Sequence, residues 1–259
     1  MIRFLRPGNW SAAQVSLTWS PNTRRRIPEV ESAIDTAWTT ALARPGVHLF
    51  DGPMCRLESW TATDDQLALT ISKSSYKSFL GTNMAHPEFA DIFGTDVMAN
   101  PVGVSPALLT SDQQLLLGRR SAKVAYYPSR VHPFAGCMEP NDVDPFATIV
   151  RELKEELSLD ETDIPEIRCT GIAEDKQLRQ PELIFAARTT RSRAQIEAHL
   201  DPVEHQSIWA IPATADAIMT AAPQDKHLTP VAVAALLLWG RMTFGQSWFD
   251  PMAASEQFR

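Results

Sequence analysis

Cysteine is scarce in this 259-residue chain. Cys55, Cys137 and Cys169 lie far apart, their number is odd, and no Cys-x-x-Cys pair occurs. This argues against a disulfide scaffold and against a zinc site, and a reducing, cytoplasmic compartment is the simpler expectation. Positive charge is also short: the net charge is −7, whereas a protein that holds a nucleic-acid backbone would be basic. Residues 1–10 lack the long apolar core of a signal peptide. The longest apolar run, 230–239, is about half of the roughly 20 residues that a membrane span requires, so it reads as a buried helix. His86, His132 and His227 show no metal-ligand spacing, and no internal repeat is visible. The expected partner is therefore a small molecule, with neither nucleic acid nor membrane; the oligomeric state stays open.

What is present is a core-forming composition with one acidic motif. The length suits one large domain or two small ones, and hydrophobic residues, 44% of the chain, are enough for a sizeable core. Gly136-Cys137-Met138-Glu139-Pro140-Asn141-Asp142 is followed by Arg151-Glu152-Leu153-Lys154-Glu155-Glu156-Leu157-Ser158-Leu159. On a helix, Glu152, Glu155 and Glu156 stand at i, i+3 and i+4 and share a face. Ile149, Leu153 and Leu157 fall on another face and can hold the helix against a core. Like charges at that spacing destabilise a helix by roughly 0.2–0.5 kcal/mol per pair. A hard divalent cation, Mg2+ or Mn2+, would remove the repulsion, and a glycine turn lets carboxylate oxygens gather around it.

The elements read along the chain are a helix from Pro28 to Leu42 with Gly46 as its stop, strands over 54–60 and 66–72, and a hairpin of 113–119 with 122–127 after a short strand at 107–109. Further strands are read over 166–173, 183–189 and 208–211, with helices over 193–200, 216–220 and 229–241. Residues 242–259 are expected to fray, although Phe244, Trp248 and Phe249 suggest docking. The first part, 1–106, is read as an α+β region with two strands and two helices that takes part in substrate recognition; 107–259 is read as the catalytic domain. Strands, an acidic helix, more strands and a closing helix are the order of an α/β/α sandwich.

The acidic segment resembles the Nudix box: a glycine, five residues, an acid, seven residues, then Arg-Glu-apolar-x-Glu-Glu-x-Gly-apolar. Gly136, Asp142, Arg151, Glu152, Leu153, Glu155, Glu156 and Leu159 match, and Glu139 matches a further acid often found in the loop. Three departures are visible. Asp142 replaces a glutamate, eight residues separate it from Arg151, and Ser158 stands in place of glycine. Further segments resemble the animal Nudix hydrolases that cleave UDP-glucose. These are Leu49-Phe50-Asp51-x-Pro53 with Arg56-Leu57, Tyr76-Lys77-Ser78-Phe79-Leu80-Gly81-Thr82-Asn83, Asn100-Pro101-Val102-Gly103-Val104, and Thr110-Ser111-Asp112 leading to Leu117-x-Arg119-Arg120. The resemblance implies a Nudix α/β/α sandwich and magnesium-dependent hydrolysis of UDP-glucose, or UDP-galactose, to UMP and a sugar 1-phosphate. Alternatives are another nucleoside diphosphate derivative, such as ADP-ribose or a dinucleotide, and a non-catalytic nucleotide-sugar binder.

Such a reaction needs a metal for the phosphate oxygens and a base for water. Glu152 and Glu156 are the leading ligands. Glu155 is a further ligand or the base, and Glu139 could reach the same ion; Asp142 could do so only if its loop folds back. Arg151 would orient a carboxylate through a bidentate pair, and Gly136 would let the loop backbone approach the phosphates. Tyr76, Lys77, Phe79, Gly81, Thr82 and Asn83 offer stacking, charge and hydrogen bonds for a nucleotide; the plainer reading is core residues followed by a turn. Arg119 and Arg120 face opposite sides of a strand, so at most one enters the site, and Arg119 is the residue assigned to the diphosphate. Glu204 is an alternative base set against an ordinary surface glutamate. Cys137 reads as a loop position rather than a nucleophile, Trp209 and Trp239 read as core, and Arg24-Arg25-Arg26 reads as a solvated loop.

Overall fold

A computed structural model of the chain describes residues 1–44, 49–200, 204–224 and 226–255. In chain order, β1 (Ile2–Trp10) and β2 (Val15–Trp19) precede α1 (Pro28–Leu42), and β3 (Pro53–Ala62) and β4 (Leu67–Ser75) follow it. The short helices α2 (Tyr76–Phe79) and α3 (Phe89–Ile92) lead to β5 (Gly103–Leu109) and β6 (Gln114–Arg120). Two-residue strands β7 (Val131–His132) and β8 (Gly136–Cys137) come before α4 (Pro145–Leu157). The chain then runs through β9 (Glu166–Asp175), β10 (Gln180–Arg188), α5 (Arg193–Glu197), β11 (His205–Pro212), α6 (Ala215–Gln224), α7 (Pro230–Phe244) and α8 (Gln246–Ala254).

The larger sheet has the order β1-β9-β10-β5-β6-β11, with β7 beside β6 and β8 beside β5. Its β10–β5 pair is parallel; the β1–β9, β9–β10, β5–β6 and β6–β11 pairs are antiparallel. Leu116, Val104, Leu183 and Phe185 point to one face and form a core with Phe146, Ile149, Leu153 and Leu157 of α4. Leu115, Leu117, Ala107 and Ile184 point to the other face, where α7 lies, buried from Pro230 to Gly240. Helix, sheet, helix is the α/β/α sandwich that the element order predicts. The smaller sheet, β2-β4-β3, contributes Leu57, Leu67, Leu69 and Ile71 to the core on the α4 side.

β3 also ties the two sheets together beside the acidic motif. The Cys55 N–H donates to Met138 O, and Val102 N–H donates to Cys55 O, both at 2.8 Å. The loop carrying Gly136 is therefore clamped between β5 and β3.

Several expectations are corrected. The first part carries four strands rather than two, and β1 joins the larger sheet through β9. Pro7 and Gly8 interrupt its pattern, and its register shifts between Phe4 and Arg6 and again between Pro7 and Trp10. Residues 122–127 form turns, not the second arm of a hairpin. The chain reverses there, with left-handed backbone at Tyr127 (φ 49°) and Ser129 (φ 62°), so that Arg120 N–H reaches Arg130 O. The long partner of β6 is β11. Residues 246–254 form α8, docked by Phe249 against Phe4 with ring centroids 5.2 Å apart. Gly46 lies outside the described residues.

Candidate active site

Local sequence starts α4 cleanly. The Asp144 side chain accepts from the N–H groups of Phe146 and Ala147 at 2.8 Å each, and Pro145 occupies the first turn. Ser158 ends α4 in the left-handed conformation, φ 56° and ψ 32°, which glycine adopts with least strain.

Arg151 is the hub of the motif. Its Nε and Nη2 donate to the two oxygens of Asp142 at 3.2 and 3.1 Å, and Nη2 also donates to Cys137 O at 3.3 Å. Nη1 lies 2.8 Å from Glu152 Oε1 and 3.3 Å from Glu155 Oε2. Asp142 further accepts from Glu139 N–H and the Thr148 hydroxyl. Its oxygens are thus spent on tying the loop to the helix.

Gly136 packs directly on Glu152. A Cβ built on Gly136 would fall inside the Glu152 carboxylate, and Gly136 has no positive φ. The glycine is needed here for space, not for backbone freedom. Burial, opposed by Arg151 and reinforced by Glu156, pushes the Glu152 carboxyl up to about 8.

One turn on, Glu156 is 4% exposed. Its Oε2 lies 3.3 Å from His205 Nε2, and ligand atoms of Glu156, Glu204 and His205 all lie within 4.8 Å of one another. Neither Glu156 oxygen makes a hydrogen bond of good geometry among the described residues. Burial, then the Glu204 carboxylate, drives the Glu156 carboxyl well above its ordinary range. A buried acid whose oxygens make no well-aligned hydrogen bond and which has an acidic neighbour is a fit for a divalent cation. Glu152 and Glu156 would hold it, with Glu204 close beside them.

Glu155 and Glu139 are placed elsewhere. Positions 155 and 156 are about 100° apart on a helix, so burial of Glu156 towards β11 leaves Glu155 at the rim, 59% exposed and paired with Arg151. Glu139 is exposed on the loop. Glu204 and His205, by contrast, arrive at the start of β11, whose register sets His205 opposite Arg120.

Strand alternation decides between the two arginines. Leu116 faces the α4 core, and the next residue on that face, Gly118, packs on the His205 ring. Arg120 follows on the same face. Arg119 points the other way and donates to Ser129 O, which corrects the assignment of Arg119 to the diphosphate. The Arg120 guanidinium lies over the Tyr126 ring, 4.5 Å from its centroid.

The 76–83 segment approaches from the smaller sheet. Trp38, Tyr76, Phe79 and Tyr126 form a chain of edge-to-face contacts with centroids 6.3–6.4 Å apart. Phe79 is buried, and Lys77 pairs with Asp35 at 2.6 Å. Gly81 admits the close approach of Ile34 on α1. Thr82 and Asn83 are fully buried. Thr82 Oγ1 accepts from Ala99 N–H, and Asn83 bridges Asn100 N–H to the carbonyls of Leu178 and Arg179. The expectation that Gly81, Thr82 and Asn83 contact substrate is replaced by an internal role, because their polar and steric capacity is spent on the β9–β10 turn, the 99–100 backbone and α1.

Sequence reasoning also missed Glu182. It is buried against Gly103, accepts from the Ser105 hydroxyl at 3.1 Å, and is pushed up to about 8 chiefly by burial. Cys137 takes a contact from Gln180 Nε2 at 3.7 Å, and burial drives its thiol up, away from nucleophilic character.

A family model of the NUDIX domain matches residues 99–231. A Mus musculus protein named Uridine diphosphate glucose pyrophosphatase NUDT22 is 36% identical over 147 residues, which are 51% of this chain and 47% of that protein. That match spans about half the length of the mouse relative. The Homo sapiens protein of the same name is 27% identical over 274 residues, 91% of this chain and 90% of its own. Among solved structures, DR0079 from Deinococcus radiodurans aligns with 53% of this chain and 80% of its own at 16% identity and a TM-score of 0.41.

Proposed function

The chain belongs to the Nudix family of hydrolases, and we propose that it hydrolyses the pyrophosphate bond of a nucleoside diphosphate sugar, UDP-glucose first and UDP-galactose next, giving UMP and a sugar 1-phosphate. The observation that carries this reading is the carboxylate pair of half-buried Glu152 and buried Glu156, one turn apart beside Gly136, with both Glu156 oxygens lacking hydrogen bonds of good geometry. The names of the mouse and human relatives support the choice of sugar nucleotide. Magnesium, or manganese in its place, would neutralise phosphate oxygens and activate water when bound there.

The protein residues supply the rest. Arg151 holds the Glu152 carboxylate in place and fixes the loop through Asp142. Glu204 stands next to Glu156 and is exposed, so it can take a proton from water at the open side of the pair; we assign it the role of base, in preference to the outward-facing Glu155. His205, buried against Glu156, closes the inner side. The 1–106 region serves recognition through the Tyr76–Phe79–Tyr126 contacts, which carry it to the edge of the site.

The test is a panel of nucleotide sugars, ADP-ribose and dinucleotides with Mg2+, run in oxygen-18 water. UDP-glucose should be split fastest, with label in UMP or in glucose 1-phosphate. Release of UDP and free glucose would place the cut at the glycosidic bond and end this reading. Binding of UDP-glucose without turnover would make the protein a sensor.

A further inference from the structure

We propose that Arg120 is a diphosphate anchor: a buried guanidinium held ready for an anion that only the ligand supplies. The proposal rests on the pyrophosphate-hydrolase reading above and adds to it the residue that grips the diphosphate.

Burial makes Arg120 unusual. It is 8% exposed, the same as Arg24. Arg24 has a carboxylate partner, Glu31 at 2.6 Å, and the similarly buried Arg56 donates its Nε to Met98 O at 3.1 Å. Among the described residues Arg120 has no ion pair, and its Nε is buried without a hydrogen-bond partner. Its guanidinium lies on the face of Tyr126. The carboxyls that face it, Glu156 and Glu182, lie beyond ion-pair distance, and a buried charge without a direct ion pair is costly, its removal from water not repaid by one aromatic ring. A side chain kept in that condition is explained if the counter-charge arrives with a ligand.

Position names the ligand's chemistry. Arg120 lies on the α4 face of β6, two residues after Gly118, on which the His205 ring packs, and His205 touches Glu156. The anchor therefore stands beside the carboxylate pair that would hold a cation. A group bound by a cation on one side and a guanidinium on the other must carry several anionic oxygens. A diphosphate does, and the planar fork of arginine matches two of its oxygens. The aromatic chain from Trp38 through Tyr76 and Phe79 to Tyr126 sets the ring on which the guanidinium lies, so the first part of the chain acts on the diphosphate through Arg120. The groups facing Arg120 are Tyr126, Glu156, Glu182 and His132. His132 is held by Thr229 Oγ1 at 2.8 Å and by burial is kept uncharged, so it adds no second cation.

Arg120→Met and Arg120→Lys test the anchor, with methylenediphosphonate and Mg2+ as the probe in calorimetric titration. Loss of charge-assisted hydrogen bonds should weaken probe binding by roughly 10- to 100-fold in Arg120→Met, with partial recovery in Arg120→Lys. The melting temperature of Arg120→Met without ligand should equal or exceed that of the wild type, because a buried charge that makes no direct ion pair has gone. A structural arginine would do the opposite. Probe binding within twofold of the wild type, or a melting temperature several degrees lower without ligand, would overturn the proposal. Failure of the substrate reading looks different: wild-type protein that leaves UDP-glucose intact, yet binds the diphosphonate in an Arg120-dependent way, retains the anchor and loses only the sugar nucleotide.

Discussion

Gly136→Ala is the most informative single-atom change in the site. The added methyl falls inside the Glu152 carboxylate, and no backbone strain accompanies it, since Gly136 has no positive φ. The glycine is fixed in place on both sides by β8 pairing with β5 and by the Cys55–Met138 hydrogen bond. Glu152 must therefore yield. Its carboxylate retreats by about 1 Å, and a misplacement of that size at a catalytic group costs on the order of 100-fold in rate, or about 2.7 kcal/mol of activation free energy. The retreat also disturbs the 2.8 Å contact with Arg151, so overpacking should lower stability by about 1–3 kcal/mol. Turnover of UDP-glucose, Mg2+ titration of that turnover and thermal unfolding measure the three effects. Glu152→Asp in the Gly136→Ala background should lose no more than the worse single variant, because both changes act on the same carboxylate. Wild-type turnover in Gly136→Ala would show that the Glu152 position is irrelevant to catalysis. Full additivity of the two changes would show that they do not act through one contact.

Ser158→Gly should stabilise the protein by about 1 kcal/mol, since it relieves a left-handed non-glycine residue at the end of α4; chemical denaturation with unchanged turnover is the expected result, and lower stability would refute the strain argument. His132 is kept neutral by burial, then by the charges of Arg120 and His205, so its folded-state value lies below its unfolded one. Below the ordinary value of about 6.5 the unfolded chain binds a proton that the folded chain does not, and stability falls as the pH drops. His132→Gln should flatten that fall between pH 7 and 5 in denaturant titrations; an unchanged slope would place the acid sensitivity elsewhere.

Much of the frame was legible because local signals agreed. Pro28 and the spacing of Val30 and Ile34 fixed α1, and the acidic motif fixed α4 with its buried Ile149, Leu153 and Leu157. The phase of β6 was not legible. Leu115, Leu116 and Leu117 are all buried, because the strand is covered on both faces, and a continuous apolar run carries no alternation. The inward residue, Arg120 rather than Arg119, follows only once Leu116 is seen against α4. Glu204 was weighed only as an alternative base, and the place of His205 escaped, for a related reason: both reach Glu156 by a β6–β11 pairing across some 85 residues that no local pattern announces. Thr82 and Asn83 carried the right chemistry for a ligand, but backbone groups of 99–100 and 178–179 use it first.

The central claim is that Glu152 and Glu156 form a divalent-cation site. Thermal unfolding of the wild type and Glu156→Gln, each with EDTA and with saturating Mg2+, tests it most directly. In EDTA, Glu156→Gln should melt at the same temperature as the wild type or slightly higher, because the cost of burying an ionisable carboxyl beside Glu204 has been removed. Mg2+ should raise the wild-type midpoint by several degrees, as a ligand bound to the folded state alone must, and should leave Glu156→Gln unmoved. An equal Mg2+-induced rise in both proteins would contradict the site.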